Sequence, residues 1–239
     1  MLVDFYFYSL DNWLEVEIMS SFVLKMIGII SMLLDHIGYA FYGHSILRII
    51  GRLAFPIFAF QAVIGYEHTK NLKKHFFKLL VFAIISEIPF YLLTSITKKT
   101  ISLNVMFTIL LGLFTIELFK KASNKFDGFL IVTLMCIFAQ LLNVDYRWFG
   151  ILTIFFFYYY RDNKVKCLIS YALINAAYYL INLVSLEWFY LYCFISAMFA
   201  FILIRFYNNQ EGRKTKYLFY LFYPAHMLVI YLVHLIIKG

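Results

Sequence analysis

The stretch from Lys25 to Gly43, KMIGIISMLLDHIGYAFYG, is apolar enough to cross a membrane, yet it carries Asp35 and His36 side by side. A run of about 20 mostly apolar residues is what an α-helix needs to cross the hydrocarbon core of a bilayer. Ionisable side chains at that depth are costly, and they normally face a cavity or each other. The stretch therefore predicts a transmembrane helix with one polar side.

The rest of the chain has the same balance of apolar and charged residues. Of its 239 residues, 64% are hydrophobic and 14% are charged, and its mean hydropathy is +0.81. A soluble domain carries about 25% charged residues, so this chain lacks the polar residues to cover a soluble surface. Backbone groups in lipid must be satisfied within each segment, and the apolar runs lack the two-residue alternation of a β-barrel. We predict an all-α, polytopic bundle embedded in a lipid bilayer.

The apolar runs predict roughly nine transmembrane helices. They lie near residues 21–42, 46–66, 74–95, 101–119, 127–143, 147–160, 166–184, 187–207 and 217–237. Residues 1–20 are expected to form a separate segment at the membrane interface, and residues 21–239 a single transmembrane domain.

Basic residues are concentrated in the connections that follow the even-numbered spans, such as Lys70, Lys73 and Lys74 after the second. Because cytoplasmic loops of membrane proteins carry an excess of lysine and arginine, this asymmetry predicts a cytoplasmic N-terminus. Loops of this kind usually reflect topology alone. The alternative interpretation is that these lysines hold anionic phosphates.

Helical spacing places Lys25 and His36 on one face of the first span. Eleven residues make three turns plus about 20°, and they put His36 about 16 Å deeper than Lys25. Asp35 points about 100° away from His36, so we expect it to meet Arg48 or Arg52 of the second span. A purely structural salt bridge is an open alternative for these charges, whereas an imidazole can also transfer protons near neutral pH.

Other polar side chains lie at similar depth in the later spans, among them Glu87 of the third span and His226 of the ninth. The three cysteines lack metal-ligand spacing and the sequence has no Cys/His cluster or HExxH motif, so we expect no metal. It also has no nucleotide-binding loop or nucleophile elbow, so nucleotide hydrolysis lacks support. The basic residues are divided among short loops, which argues against a nucleic-acid partner.

Five stretches together resemble the TraX family of polytopic inner-membrane proteins. They are LKMIGIISMLLDHIGYAF, LRIIGRLAFPIFAFQAVIGYEHTKN, ISEIPFYLL, LNVMFT and KYLFYLFYPAHML. The founding type of this family acetylates the N-terminus of conjugative pilin. The family is in turn similar to the acyltransferase-3 family and to the lysosomal heparan-glucosaminide acetyltransferase. A hallmark of that wider group is a basic or amide residue, ten intervening residues and a histidine, which Lys25 and His36 match, with lysine where acyltransferase-3 proteins have arginine.

The resemblance implies a bacterial cytoplasmic-membrane acetyltransferase that uses acetyl-CoA from the cytoplasm as its co-substrate. His36 would be the general base, and Asp35 and Lys25 would assist it. The expected residues for binding CoA or the acceptor are Arg48, Arg52, Glu87, Asn104, Tyr223, His226, Lys70, Lys74 and Lys214. Of these, Asn104, Tyr223 and His226 are candidates to stabilise the oxyanion or to orient the acceptor.

The acceptor is expected to be the amine of a pilin-like or other peptide N-terminus. Three alternatives stay open at this point. The first is an O- or N-acetyltransferase that acts on a cell-envelope glycan. The second is a proton-coupled small-molecule transporter, which would use similar residues at the membrane midplane. The third is a scaffold for an export or pilus-assembly machine.

Overall fold

A computed structural model describes residues 19–43, 45–97, 102–183, 188–213 and 216–238. Over these ranges the chain is helical, with two isolated β-bridges and no β-strand. The helices are α1 (Ser21–Ile37), α2 (Ile46–Gly51), α3 (Ala54–Glu67), α4 (Leu72–Ser95), α5 (Val105–Lys121), α6 (Lys125–Leu141), α7 (Arg147–Tyr159), α8 (Lys164–Leu183), α9 (Trp188–Arg205) and α10 (Lys216–Lys238). A π-helical turn, Gly38–Tyr42, directly continues α1.

Five helical stretches of the described chain are long and apolar enough to cross a membrane, which agrees with the predicted all-helical membrane protein. They are Ser21–Tyr42, Ile46–Glu67, Leu72–Ser95, Trp188–Arg205 and Tyr220–Lys238. Helices α5 and α6 have 17 residues each, which corresponds to only about 25 Å of rise. The count of nine spans and the cytoplasmic N-terminus stay predictions. Most of the expected interfacial segment, residues 1–18, lies outside the described residues.

Asparagine and serine side chains begin several helices. The side-chain oxygens of Ser20, Asn71, Asn104 and Asn124 accept hydrogen bonds from backbone N–H groups two or three residues further on. Each such bond satisfies one of the donors that a helix leaves open at its first turn. These caps fix where α1, α4, α5 and α6 start.

Helix α1 is held between α2, α3 and α10, and α10 also packs along α4. The contact between α1 and α2 is close at Gly51, where a Cβ atom would lie 2.6 Å from Oδ1 of Asp35. A side chain larger than hydrogen would therefore push Asp35 and its helix away. Fully buried aliphatic residues such as Leu24, Ile57 and Leu113 fill the space between the helices around α3.

The segment before α1 is hydrogen-bonded to the connection between α9 and α10. The N–H of Met19 donates to the carbonyl of Phe206 at 2.8 Å, and the N–H of Ser21 donates to that of Gln210 at 2.8 Å. The beginning of α1 and residues 206–213 therefore lie at the same end of the bundle.

Candidate functional site

A cavity of about 500 Å³ runs through the bundle between α1, α3, α4, α5 and α10. Exposed residues of its lining, among them His68, Glu211 and Arg213, mark an opening at the end where α1 begins. Its deeper wall includes His36 and Asp35. The volume lies within the range of about 300–1,000 Å³ that is usual for pockets that bind small molecules.

Lys25 and His36 both line this cavity. Lys25 lies one turn into α1, near the opening, and His36 lies about three turns deeper. The prediction that the two side chains share one face of the helix is therefore confirmed. The π-helical turn begins two residues after His36, and such local distortions of a helix are frequent at functional sites.

His36 is paired with His226 of α10. Nδ1 of His36 lies 2.7 Å from Nε2 of His226, and the two ring planes are within 11° of each other. Nδ1 of His226 lies 2.7 Å from the carbonyl oxygen of Phe222. Because a carbonyl only accepts, Nδ1 of His226 carries the hydrogen, and Nε2 of the neutral ring is then an acceptor. His36 therefore donates from Nδ1 and keeps a lone pair on Nε2.

His226 lies behind His36 rather than in the cavity wall. It is 5% exposed and is not among the described residues that line the cavity. Its ring stacks on Phe222 at 4.7 Å between centroids. Its position is thus suited to holding the His36 ring in one tautomer and one orientation.

Asp35 is turned away from His36 toward the two arginines of the second span. Nη2 of Arg52 contacts Oδ1 of Asp35 directly, and Nε of Arg48 lies 3.5 Å from the same oxygen. Arg52 also donates from Nε to the carbonyl of Arg48 at 3.1 Å. The expected pairing of Asp35 with these arginines is confirmed. The cluster fixes α2 against α1, so all three side chains support the helix that carries His36.

Glu87 and Asn104 link α4 to α5 instead of facing the cavity. Asn104 donates from Nδ2 to the Ala83 carbonyl at 2.8 Å and to Oε2 of Glu87 at 2.6 Å, while its Oδ1 accepts from the Met106 N–H. Both amide hydrogens are used, and neither residue is among the described lining of the cavity. The expectation that Asn104 donates to an oxyanion is therefore not supported by its contacts.

The remaining predicted binding residues lie at different distances from the cavity. Tyr223 lines it, is 7% exposed, and has its ring 6.0 Å from that of His226. Lys70 and Lys74 are exposed and do not line the cavity themselves, but each is next in the chain to a lining residue, Thr69 and His75 respectively. Lys214 lies outside the described residues.

Several lining residues were missed by the sequence reasoning. Gln61 and Ser86 are buried in the wall, and neither Nε2 of Gln61 nor Oγ of Ser86 has a hydrogen-bond partner among the described residues. Asp145 and Tyr146 enter from the connection between α6 and α7. Gln61 and Ser86 are polar residues in otherwise apolar spans, which is a usable signal, whereas no sequence signal places a loop residue such as Asp145 inside a bundle.

A sequence profile described as TraX protein matches residues 20–234 of the chain, which include both histidines of the pair and every described residue of the cavity wall. The chain belongs to the TraX family.

Two bacterial proteins are similar to this chain. It is 30% identical over 235 residues to the probable fimbrial assembly protein FimC, serogroup H1, of Dichelobacter nodosus, covering 88% of this chain and 94% of the relative. It is 33% identical over 118 residues to the uncharacterised protein RP591 of Rickettsia prowazekii (strain Madrid E), covering 48% and 44% of the two chains. No solved structure matches it.

Proposed function

We propose that this TraX-family protein is an integral-membrane acetyltransferase that moves an acetyl group from acetyl-CoA to an acceptor amine, with His36 as general base. The observation that carries the proposal is the cavity, which joins an exposed opening to His36, whose Nε2 has no hydrogen-bond partner among the described residues. A base needs this combination of access and fixed orientation, because the proton that it takes must lie within hydrogen-bond reach.

Acetyl-CoA would enter at the opening, which the orientation predicted from the basic loops assigns to the cytoplasm. Lys25 and Arg213 would face its phosphates, with Lys70, Lys74 and Lys214 nearby. The flexible arm of acetyl-CoA that carries the thioester contains amide groups, which can form hydrogen bonds with the cavity wall. Gln61 and Ser86 supply unused polar atoms in the wall between the opening and His36, and a buried polar group without a partner is unfavourable until a ligand or water satisfies it.

In the transfer step, Nε2 of His36 removes a proton from the acceptor amine as its nitrogen attacks the thioester carbonyl carbon. The new C–N bond forms, the C–S bond breaks, and the CoA thiolate takes the proton from the imidazolium. His226 accepts a hydrogen bond from Nδ1 of His36 throughout, so the ring stays oriented. Tyr223, which also lines the cavity, would donate from its hydroxyl to the developing oxyanion.

A peptide amine is the acceptor that the comparisons favour. A relative covered over 94% of its length is named a probable fimbrial assembly protein, and fimbriae are built from protein subunits. We therefore place the N-terminal amine of a fimbrial or pilin-like subunit ahead of a cell-envelope glycan.

The test is acetyl transfer by the purified wild-type protein. We expect acetyl-CoA to release its thiol only when an acceptor is present, and intact-mass analysis to find one acetyl group on the peptide N-terminus. An acetylated glycan with unmodified peptides would correct the acceptor. Uptake of a solute into proteoliposomes without consumption of acetyl-CoA would contradict the proposal and indicate a transporter.

A further inference from the structure

The connection between α6 and α7 carries Asp145 into the inner end of the cavity. The Asp145 N–H donates to the carbonyl of Leu103 at 2.7 Å, and the Leu103 N–H donates to that of Asn143 at 3.1 Å. The Thr108 hydroxyl donates to the Asp145 carbonyl. These bonds hold the connection against the beginning of α5, so the position of Asp145 is set by backbone contacts.

The backbone of this connection is held in a conformation that ordinary side chains avoid. Asn143, Tyr146 and Arg147 have φ values of 52°, 62° and 45°. Non-glycine residues are strained in this region, and such strain is concentrated at binding and active sites. The ring of Tyr146 stacks on Phe55 at 4.0 Å between centroids, which fixes the turn beside the cavity.

The Asp145 carboxylate has unused capacity to accept hydrogen bonds. Its Oδ1 accepts from the Tyr146 N–H at 3.1 Å. Within the ranges that the structure describes, Oδ2 accepts no hydrogen bond and no lysine or arginine nitrogen lies within 4 Å of the carboxylate. Arg52 is near enough to act on it, but its contacts are with Asp35 and the Arg48 carbonyl. Asp145 lines the cavity, so the free oxygen is available to a ligand there.

The ionisation of this group suits a cationic ligand. Burial raises the pKa of the Asp145 carboxyl to about 6, although Arg52 and the Tyr146 N–H act in the opposite direction. The other charged groups that act on it are Asp35, which raises the pKa, and Arg48, which lowers it. Above about pH 6 the carboxylate is mostly ionised, and below it is mostly neutral.

We propose that Asp145 is the residue that binds and positions the ammonium group of the acceptor, at the end of the cavity away from its opening. This inference rests on the proposed function. A carboxylate with a free oxygen forms a charge-assisted hydrogen bond with an ammonium, and a hydroxyl analogue of the same shape forms only a weaker neutral one. The bound ammonium loses one proton to water before the transfer step, which leaves a neutral amine with two hydrogens, one of which His36 removes.

The test is equilibrium dialysis without acetyl-CoA, using three radiolabelled probes that share one side chain. These are leucinamide, its N-acetyl form, and the amide of 2-hydroxy-4-methylpentanoic acid, which has a hydroxyl in place of the amine. We expect the wild-type protein at pH 7.5 to bind leucinamide at least about tenfold more tightly than either analogue. Asp145→Asn should remove this preference and leave binding of the hydroxyl probe within about twofold. Asp127→Asn, which changes a partly exposed acid at the start of α6 and outside the cavity lining, is the matched control and should keep the preference.

A titration of the wild-type protein covers the case in which Asp145→Asn does not fold. The preference for leucinamide should disappear as the pH falls through about 6, because the carboxylate becomes neutral. Equal binding of amine and hydroxyl probes by the wild-type protein, or an unchanged preference in a folded Asp145→Asn variant, would overturn the inference. Since no acetyl-CoA is present, failure of acetyl transfer in the wild-type assay is a separate result that bears on the proposed function.

Discussion

The bundle contains two polar pairs between helices, and they differ in what they leave available. Glu87 and Asn104 join α4 to α5, and the Asn104 amide donates both its hydrogens to protein acceptors. His36 and His226 join α1 to α10, and their hydrogen bonds run in one direction, from Nδ1 of His36 to His226 and from His226 to the Phe222 carbonyl. The Asn104 amide thus has no hydrogen left to donate, whereas Nε2 of His36, a residue that lines the cavity, has no hydrogen-bond partner in the part of the chain that the structure describes.

This difference in available hydrogen-bonding atoms distinguishes a structural polar pair from a catalytic one better than residue type or membrane depth does. All four side chains lie in or beside spans where polar groups are costly. What distinguishes the histidine pair is spare hydrogen-bonding capacity that faces an open volume. Substitutions in the two pairs should accordingly affect different measurements.

Replacement of His36 by Ala should have the largest effect. A general base typically contributes about 10²–10⁴-fold to a rate, so we expect a loss of that size in acetyl transfer with the protein still inserted and monodisperse. Thiol release from acetyl-CoA is the measurement. His234→Ala is the control, since His234 contacts Phe41 near the end of α10 and is not among the described cavity-lining residues. Acetyl transfer at the wild-type rate by the His36→Ala variant would show that His36 is not the general base.

Replacement of His226 by Ala should have a smaller effect on the same reaction, because His226 acts through His36. We expect a fall in kcat of roughly 10²-fold, the cost of a poorly placed catalytic group, with little change in KM for acetyl-CoA. His226→Gln should recover part of the loss, since its side-chain carbonyl can accept from Nδ1 of His36. If the Ala and Gln variants lose activity equally, an orienting hydrogen bond is not what His226 supplies.

Replacement of Glu87 by Gln should have the smallest effect on activity and a measurable one on stability. Removing the charge weakens the bond to Asn104 by about 1–2 kcal/mol, so the melting temperature in detergent should fall. Because Glu87 and Asn104 are not among the described residues that line the cavity, kcat and KM should stay within about twofold. A large rise in KM for acetyl-CoA at unchanged melting temperature would contradict this structural role and indicate that Glu87 contributes to substrate binding.

Local sequence patterns were sufficient for the parts of the site that lie on one helix. The spacing between Lys25 and His36 predicts that both lie on one face of α1, and both line the cavity. Asp35 points about 100° away from His36 around the helix, and it contacts Arg52 of the second span as predicted. Asn104 directly precedes an apolar run, where an asparagine often caps the helix. The side chain is used for this cap and for the bonds to α4, so the capping pattern predicts the role of Asn104 better than its depth does.

The contacts between distant parts of the chain could not be predicted in this way. Periodicity gives the depth of His226 but not the direction in which α10 faces, so its bond to a residue 190 positions earlier was not foreseeable. Asp145 lies in a connection that bends inward only because Leu103 and Thr108 bond to its backbone. Both features depend on how helices are arranged around each other, which helix-by-helix patterns do not contain.

The central claim, that acetyl-CoA reaches His36 through the cavity, is tested most directly by cysteine protection at Met32. Met32 lines the cavity one turn from His36. The variant Met32→Cys, with Cys136, Cys167 and Cys193 replaced by Ala, would be treated with a small water-soluble thiosulfonate reagent. Ile30→Cys, at a 53% exposed position on the outer side of α1, is the control.

We expect Met32→Cys to be modified readily and acetyl-CoA to slow its modification by about tenfold, while Ile30→Cys shows no effect of acetyl-CoA. Modification of Met32→Cys at the same rate with and without saturating acetyl-CoA would contradict the claim that the co-substrate occupies this cavity.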